Sequence, residues 1–371
     1  MKKKYLSIGV SSNSLNQDKI LDKNIALNFP GALWVSLLKE INNQIEIHTS
    51  DVILILIKTN QIQPKDVYLY CDENINESSK QLLELGCIPF ILTSFESPIF
   101  SRKFYRNLNK FKKLFKYKIL FSGAINKEYD VNTEDLFFPS FSISNPVLIY
   151  NDKKINKYAL VMSNKYYSNH SSKFIYLLKS FRNLNPFYNH RFSNYHKSIQ
   201  LYDKRLDIIA NLSKKDKIQL YGKGWNDISN IPYKYRKALE STNIINKIKS
   251  LSAGVNDKII ELSKFKYALC IENCSFKGYI TEKIIDAIVS KTLPIYLGAS
   301  DISNFIPNEC FINLNAFQNF NDAFDYIESI NERDYDELIL NGQKFLYSQA
   351  GYKFSYDYFS QNINQKILNE Y

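Results

Sequence analysis

The stretch from Phe265 to Phe311 is the part of the sequence best equipped to bind and turn over a ligand. It reads as strand, polar turn, helix, strand and turn. Glu272 and Asn273 stand where the first strand ends, and Gly278-Tyr279-Ile280-Thr281-Glu282-Lys283 opens the helix. In an open α/β sheet, ligands bind beyond the carboxyl ends of the strands, where loops lead into helix N-termini with free N–H groups. These polar residues therefore mark the place for a nucleotide. Lys283 falls in the first turn of the helix, where the macrodipole disfavours a cation by about 0.3–1 kcal/mol. A bound diphosphate would offset that, joining its charge to the lysine and to the backbone N–H groups. The plainer alternative is a solvated lysine on a surface helix, since helix ends tolerate exposed charges. Glu272 and Asn273 have a plain alternative too, a strand-end turn in which Asn is favoured for its local hydrogen bonds.

The elements that must position these groups follow from the spacing of apolar residues. After Pro30-Gly31, Trp34, Leu37, Leu38 and Ile41 recur at helical spacing. Short apolar runs at Val52–Ile57, Val67–Tyr70, Phe90–Leu92 and Ile119–Phe121 predict strands separated by segments long enough for crossovers, the pattern of βαβ units. The pattern breaks between Ser144 and Lys157, which places a domain junction there. A second alternation predicts strands at Ala159–Met162, Ile218–Tyr221, Tyr267–Ile271, Leu293–Leu297 and Phe311–Leu314. Helices are predicted at Leu201–Leu212, Glu282–Ser290 and Asp322–Ile330, with a further one at Ser171–Arg182 inside a Tyr-, Asn- and His-rich stretch. The second half thus reads as a doubly wound nucleotide-binding domain. The expected division is residues 1–150, 157–350 and a final segment 351–371.

A length of 371 residues fits about two domains. Hydrophobic residues at 45% and charged ones at 23% exclude wholesale disorder. The net charge of +11 suits an anionic ligand, an anionic membrane surface or nucleic acid, and by itself chooses none of them. The basic residues cluster mainly in residues 102–118, where Arg102, Lys103, Arg106, Lys110, Lys112, Lys113, Lys116 and Lys118 surround Phe104, Leu108, Phe111 and Phe115 at helical spacing. Such a helix suits peripheral contact with anionic membrane or a phosphorylated lipopolysaccharide core; an ordinary surface helix with a solvated basic face is the alternative. No nucleic-acid motif accompanies it, and no nucleic-acid partner is expected. Cys71, Cys87, Cys270, Cys274 and Cys310 are odd in number and scattered, which fits neither a disulfide framework nor a zinc site and favours a reducing compartment. Tyr5 to Ser12 is too short and polar for the apolar part of a signal peptide, and Val52–Ile57 falls far below the ~20 residues that span a bilayer. The expected setting is cytoplasmic, with peripheral attachment to the inner face of the cytoplasmic membrane as an option.

Three runs carry a resemblance: Tyr267-Ala268-Leu269-Cys270-Ile271-Glu272-Asn273, Gly278-Tyr279-Ile280-Thr281-Glu282-Lys283-Ile284, and Leu293-Pro294-Ile295-Tyr296-Leu297-Gly298-Ala299. In order and spacing they resemble the donor-binding signature of the family-10 α-1,3/4-fucosyltransferases, bacterial type. The resemblance implies an α/β fold of GT-B architecture, two Rossmann-like domains facing each other across a cleft. It places the acceptor on the N-terminal domain, GDP-fucose on the C-terminal one and a final helix crossing back to the first. Carried over residue by residue, Tyr279, Glu282 and Lys283 contact donor fucose and diphosphate, and Asn273 supports the same pocket. Ala159-Leu160-Val161-Met162-Ser163-Asn164 resembles the strand that opens the family's C-terminal domain. The diphosphate arginine of the family maps best to Arg205 in Tyr202–Ile209, where a guanidinium suits bidentate contact with phosphate oxygens. Arg182 is the competitor, and Arg205 has the alternative of flanking the apolar stripe of Tyr202, Leu206 and Ile209.

Inverting transfer onto a hydroxyl needs a group that takes the proton as the glycosidic bond forms. Phe95-Glu96-Ser97-Pro98 resembles the family's Glu-Ser-Pro motif, which makes Glu96 the catalytic base. Thr93-Ser94-Phe95-Glu96 also fits a capping box, in which the glutamate only caps backbone N–H groups. His48, His170, His190 and His196 are the alternative bases, none of them in a comparable strand-end motif. No Asp-x-Asp stands at a strand end, and Lys283 with Arg205 can stabilise a leaving diphosphate, so no obligatory metal or cofactor is expected. The implied reaction moves L-fucose from GDP-fucose to a hydroxyl, such as O3 of N-acetylglucosamine, of a cell-surface glycan such as lipopolysaccharide. Another GDP-deoxysugar with the same fold and mechanism is one alternative, and a basic membrane- or nucleic-acid-binding protein without catalysis is the other.

Overall fold

Each half of the chain is built on a wholly parallel sheet, and parallel strands require crossovers that bury both sheet faces. The computed structural model describes residues 3–9, 13–27, 29–126, 128, 130–144, 153–164, 194–225, 231, 233–249 and 255–370. It divides into two units. The first comprises Met1–Asn145, Lys277–Glu282 and Gln349–Tyr371; the second comprises Pro146–Phe276 and Lys283–Ser348. The expected helix Ser171–Arg182 lies outside the described residues, as do Arg182, His170 and His190.

In the first unit the strands are β1 (Tyr5–Ile8), β2 (Glu46–Thr49), β3 (Val67–Cys71), β4 (Ile88–Thr93), β5 (Tyr117–Leu120) and β6 (Thr133–Asp135), in the order β2-β1-β3-β4-β5-β6. β1 pairs with β2 on one side and β3 on the other, so the winding reverses between β1 and β3. Their carboxyl ends open the crevice where such sheets bind ligands. Helix α1 (Leu33–Ile41) buries Trp34, Val35 and Leu38. The Trp34 ring meets Tyr70 at 4.6 Å and Phe359 at 5.2 Å. Phe359 belongs to the last helix, Tyr356–Leu368, in which Ser360 Oγ donates to Trp34 O at 2.8 Å.

Two sequence expectations are corrected here. Val52–Ile57 is not a strand but the middle of helix α2 (Ser50–Lys58). Its buried positions Ser50, Ile53, Leu54 and Ile57 follow the i, i+3, i+4, i+7 rule, and Ile55 is 59% exposed. The strand is the preceding Glu46–Thr49, and the aliphatic run is the crossover that carries the chain back to β3; Asp51 in its first turn and Lys58 in its last suit the macrodipole. Likewise, the basic stretch 102–118 is not one helix. Helix α3 (Arg102–Leu114) ends before Phe115, and Lys118 lies buried in β5, its Nζ donating to Lys116 O at 3.2 Å. Phe104 and Leu108 are spent on the unit's own core, and Lys112 is paired with Asp130 at 2.5 Å. Among the described residues no helix is long and apolar enough to cross a membrane.

In the second unit, β7 (Ile155–Val161), β8 (Ile218–Tyr221), β9 (Phe265–Ile271), β10 (Leu293–Leu297) and β11 (Ile312–Asn313) run in the order β11-β10-β9-β7-β8. The expected strand Phe311–Leu314 shrinks to two residues. Tyr158, Leu160, Leu220, Leu269, Ile271, Leu293 and Ile295 meet in one core against helix α4 (Tyr202–Lys214), which contributes Leu206, Ile208, Ile209 and Leu212. Here too the winding reverses, between β7 and β9.

Candidate functional site

The reversal of the second sheet gathers the charged residues singled out in the sequence. β9 is buried along nearly its whole length and delivers Glu272, whose N–H donates to Leu297 O at 2.8 Å and whose side chain is 0% exposed. A carboxylate this deep needs a partner. Lys283, near the start of helix α5 (Glu282–Val289), supplies it, with Nζ 2.9 Å from Glu272 Oε2. Arg205 of α4 comes from the other side. Its guanidinium, 3% exposed, donates through Nη2 to Glu272 O at 3.2 Å and to Asn273 Oδ1 at 3.4 Å, and it lies over the Tyr202 ring at 4.7 Å. Arg205, Glu272, Asn273 and Lys283 are therefore one assembly at the carboxyl end of β9. Glu272 answers the charge of Lys283 within the protein, the task that sequence reading gave to a diphosphate.

The glycine of the Pro-x-x-x-Gly element has a steric reason. A Cβ on Gly298 would stand 2.3 Å from Tyr296 Oη and 2.7 Å from Glu272 Cγ. Tyr296 is fully buried and its hydroxyl accepts from Ala299 N–H at 2.9 Å, so it has nowhere to turn. Gly298→Ala is expected to cost about 1–3 kcal/mol by overpacking. Urea unfolding reads that loss directly, and an unchanged midpoint would contradict the close approach.

Tyr279 and Glu282 fall in Lys277–Glu282, which groups with the first unit. Gly278, at φ +71°, presses on the turn at Ser122, where a Cβ would meet Ser122 N at 2.6 Å. Gly123 N–H donates to Lys277 O at 3.0 Å, and the Tyr279 ring stands edge-on to Phe121 at 5.1 Å. Tyr279 is 2% exposed, so it is a packed ring of this strap, while Glu282 is half-buried in the first turn of α5.

The reversal of the first sheet opens a cavity of 460 Å³. Its lining includes Ile8 and Gly9 after β1, Tyr70, Asp72 and Glu73 from the end of β3, Phe95 and Glu96 after β4, and Trp34 and Tyr356. Glu96 is exposed; Asp72 and Glu73 are half-buried. Thr93 ends β4 and the next α-helix begins at Arg102, so Thr93-Ser94-Phe95-Glu96 caps no helix. The loop is held otherwise: Ser94 Oγ and Tyr105 Oη donate to Glu96 O at 3.2 and 3.0 Å, and Phe95 N–H donates to Glu73 Oε2 at 2.9 Å. Burial raises the Glu73 carboxyl well above the usual carboxylate range, and the charges of Asp72 and Glu96 push it further. Burial raises Asp72 as well. Sequence reasoning missed Asp72 and Glu73, although they follow the predicted strand Val67–Tyr70 and so obey the strand-end rule that found Glu272.

The described histidines, His48 and His196, are placed less well for proton transfer. His48 Nδ1 is 2.6 Å from Asp18 Oδ2, and this hydrogen bond raises the imidazole pKa, holding it in the form that cannot accept a proton further into the neutral range. His196 is buried in the second unit at 1% exposure. Among the described residues no cluster of three His, Cys, Asp or Glu side chains is arranged to hold a metal ion.

Several known proteins are similar to this chain over part or all of its length. Residues 189–338 match the family model described as glycosyltransferase family 10 (fucosyltransferase) C-term. The α-(1,3)-fucosyltransferase FucT of Helicobacter pylori is 34% identical over 113 residues, 28% of this chain and 24% of that protein. Human 4-galactosyl-N-acetylglucosaminide 3-α-L-fucosyltransferase 9 is 32% identical over 84 residues, 22% of this chain and 23% of that one. The chain is thus matched to about a quarter of the length of these relatives. Over whole chains, a crystal structure of an α1,3-fucosyltransferase aligns with 100% of this chain and 92% of its own at a TM-score of 0.53 and 16% identity. A glycosyltransferase from Rickettsia africae aligns over 100% and 99% at 0.52 and 15%. At such identities the likeness is one of fold, the GT-B type with two parallel-sheet α/β domains. The segment matched by the family model carries Arg205, Glu272, Asn273 and Lys283, and over that segment the chain is similar to glycosyltransferase family 10.

Proposed function

We propose that the protein is an inverting glycosyltransferase that moves L-fucose from GDP-fucose to a hydroxyl of a glycan. The observation that carries this reading is the convergence of Arg205 and Lys283 on Glu272 at the winding reversal of the family-matched unit, where a diphosphate would meet two cations already fixed in place. The acceptor oxygen forms its bond to C1 of fucose while the bond from C1 to the β-phosphate oxygen breaks. Glu96 takes the hydroxyl proton, and the charge that develops on GDP is stabilised by Lys283 and Arg205, with Asn273 helping to hold the guanidinium. The name of the human relative suggests O3 of a 4-galactosyl-N-acetylglucosaminide as acceptor, and we place that acceptor within a surface glycan such as lipopolysaccharide. A reducing cytoplasmic setting agrees with five free, buried cysteines, and the exposed row Lys103, Arg106, Lys110 and Lys113 of α3 would serve attachment to an anionic membrane face.

Thermal unfolding with added nucleotides tests the donor without knowledge of the acceptor. GDP and GDP-fucose are expected to raise the melting temperature, corresponding to about 2.7 kcal/mol at a hundredfold excess over Kd, with little response to UDP-glucose. Absence of any response to guanine nucleotides would sink the reading.

A further inference from the structure

The base assigned above sits on an exposed loop, and a base is useful only when held within a few tenths of an ångström of its target. Two of the hydrogen bonds that fix the loop end on the Glu96 carbonyl and come from outside the cavity wall, from Ser94 and Tyr105. The third comes from a carboxyl in the wall itself: Glu73 accepts the N–H of Phe95, the peptide unit next to Glu96, at 2.9 Å. Asp72 and Glu73 approach from the end of β3 and Glu96 from the loop after β4. Burial pushes the carboxyls of Asp72 and Glu73 above the usual carboxylate range, and the charges of Asp72 and Glu96 push Glu73 further.

We propose that Glu73 is a positioning residue for Glu96: it pins the adjoining backbone through the Phe95 N–H and so fixes where the Glu96 side chain is presented to the acceptor. The inference rests on the reading of Glu96 as base. A neutral Glu73 can hold the Phe95 N–H on one oxygen and keep its proton on the other; once ionised, it sets a second negative charge beside Glu96. The elevated pKa of Glu73 assigns that change to the alkaline side of the pH–rate profile.

Glutamine reproduces the neutral form, with a carbonyl for Phe95 N–H and no titration. The test compares Glu73→Gln, Glu73→Ala and the unmodified enzyme in GDP-fucose turnover on N-acetyllactosamine across pH, together with hydrogen exchange at the Phe95 amide. Glu73→Gln is expected to keep kcat at neutral pH and the protection of Phe95, and to lose the alkaline limb. Glu73→Ala is expected to lower kcat by about 10²-fold, the scale of a 1 Å misplacement, with KM for GDP-fucose unchanged and Phe95 exchanging freely. Glutamine as damaging as alanine, or an alkaline limb untouched by glutamine, would overturn the proposal; so would an alanine variant with normal kcat. If Glu73→Ala does not fold, the glutamine arm and its pH profile still decide. A wild-type protein that turns over no GDP-fucose would defeat the base reading, while Phe95 protection reports separately whether Glu73 holds the loop; equal exchange in all three proteins rejects that role.

Discussion

Lys283→Ala is expected to destabilise the protein by about 3–5 kcal/mol, before any nucleotide is present, because it strands a buried charge. Glu272 is 0% exposed, and the Lys283 ammonium 2.9 Å away is itself only 15% exposed, so solvent screens the pair little. Removing the lysine while keeping the carboxylate leaves the desolvation cost of Glu272 in place and takes away the attraction that offset it. The same logic makes the loss reversible by a second change. Glu272→Gln combined with Lys283→Met removes both charges and keeps volume, and such replacements of a buried pair are often neutral. Stability should return in the double variant; GDP affinity should not, because a charge-assisted contact to phosphate worth about 1.5–3 kcal/mol, a factor of roughly 10 to 100, is gone. Denaturant unfolding and calorimetry with GDP separate the two quantities. Single and double variants that unfold alike would mean that the pair does not carry the strand end. Recovery of GDP affinity in the double variant would remove Lys283 from the donor site.

How much of this was visible beforehand depends on what kind of signal each residue sends. In the second unit the strands were legible, because they are short apolar runs between turn residues, and β8, β9 and β10 fall where the spacing puts them, whereas the helices Tyr233–Ser241, Val255–Ser263 and Glu332–Leu346 were missed. The first unit was read less well. Val52–Ile57 has the composition of a strand, and only its place after β2, in a sheet whose neighbours must be reached by crossovers, makes it a helix. β1 and β2 are four residues each, too short for alternation to register, yet they create the reversal that opens the cavity. Glu96 was legible through a motif and Lys283 through its position at a helix start. The link between Lys283 and Glu272 was not, since it joins residues on different elements. Glu73 escaped for the same reason: its role rests on the Phe95 N–H, twenty-two residues away in sequence and reached only through the pairing of β3 with β4.

Glu96→Gln is the substitution expected to cost most in rate and least in stability. Loss of a positioned general base lowers rates by about 10² to 10⁴, and kcat for fucose transfer to N-acetyllactosamine should fall on that scale with GDP affinity intact. The side chain is exposed, and the hydrogen bonds that fix its loop end on its backbone carbonyl and on the Phe95 N–H, which glutamine leaves alone. Folding stability should therefore change by no more than about 0.5 kcal/mol, as at other surface positions. Because Glu96 adds to the charge that raises Glu73, the variant should also let Glu73 ionise at lower pH, which carbon-detected NMR of the glutamate carboxyls can follow. His48→Asn is the control. Its imidazole is committed to Asp18, so it should leave kcat unchanged. Full activity in Glu96→Gln beside a large loss in His48→Asn would transfer the base to His48, and large losses of stability in either would show that the rate measures folding and not proton transfer.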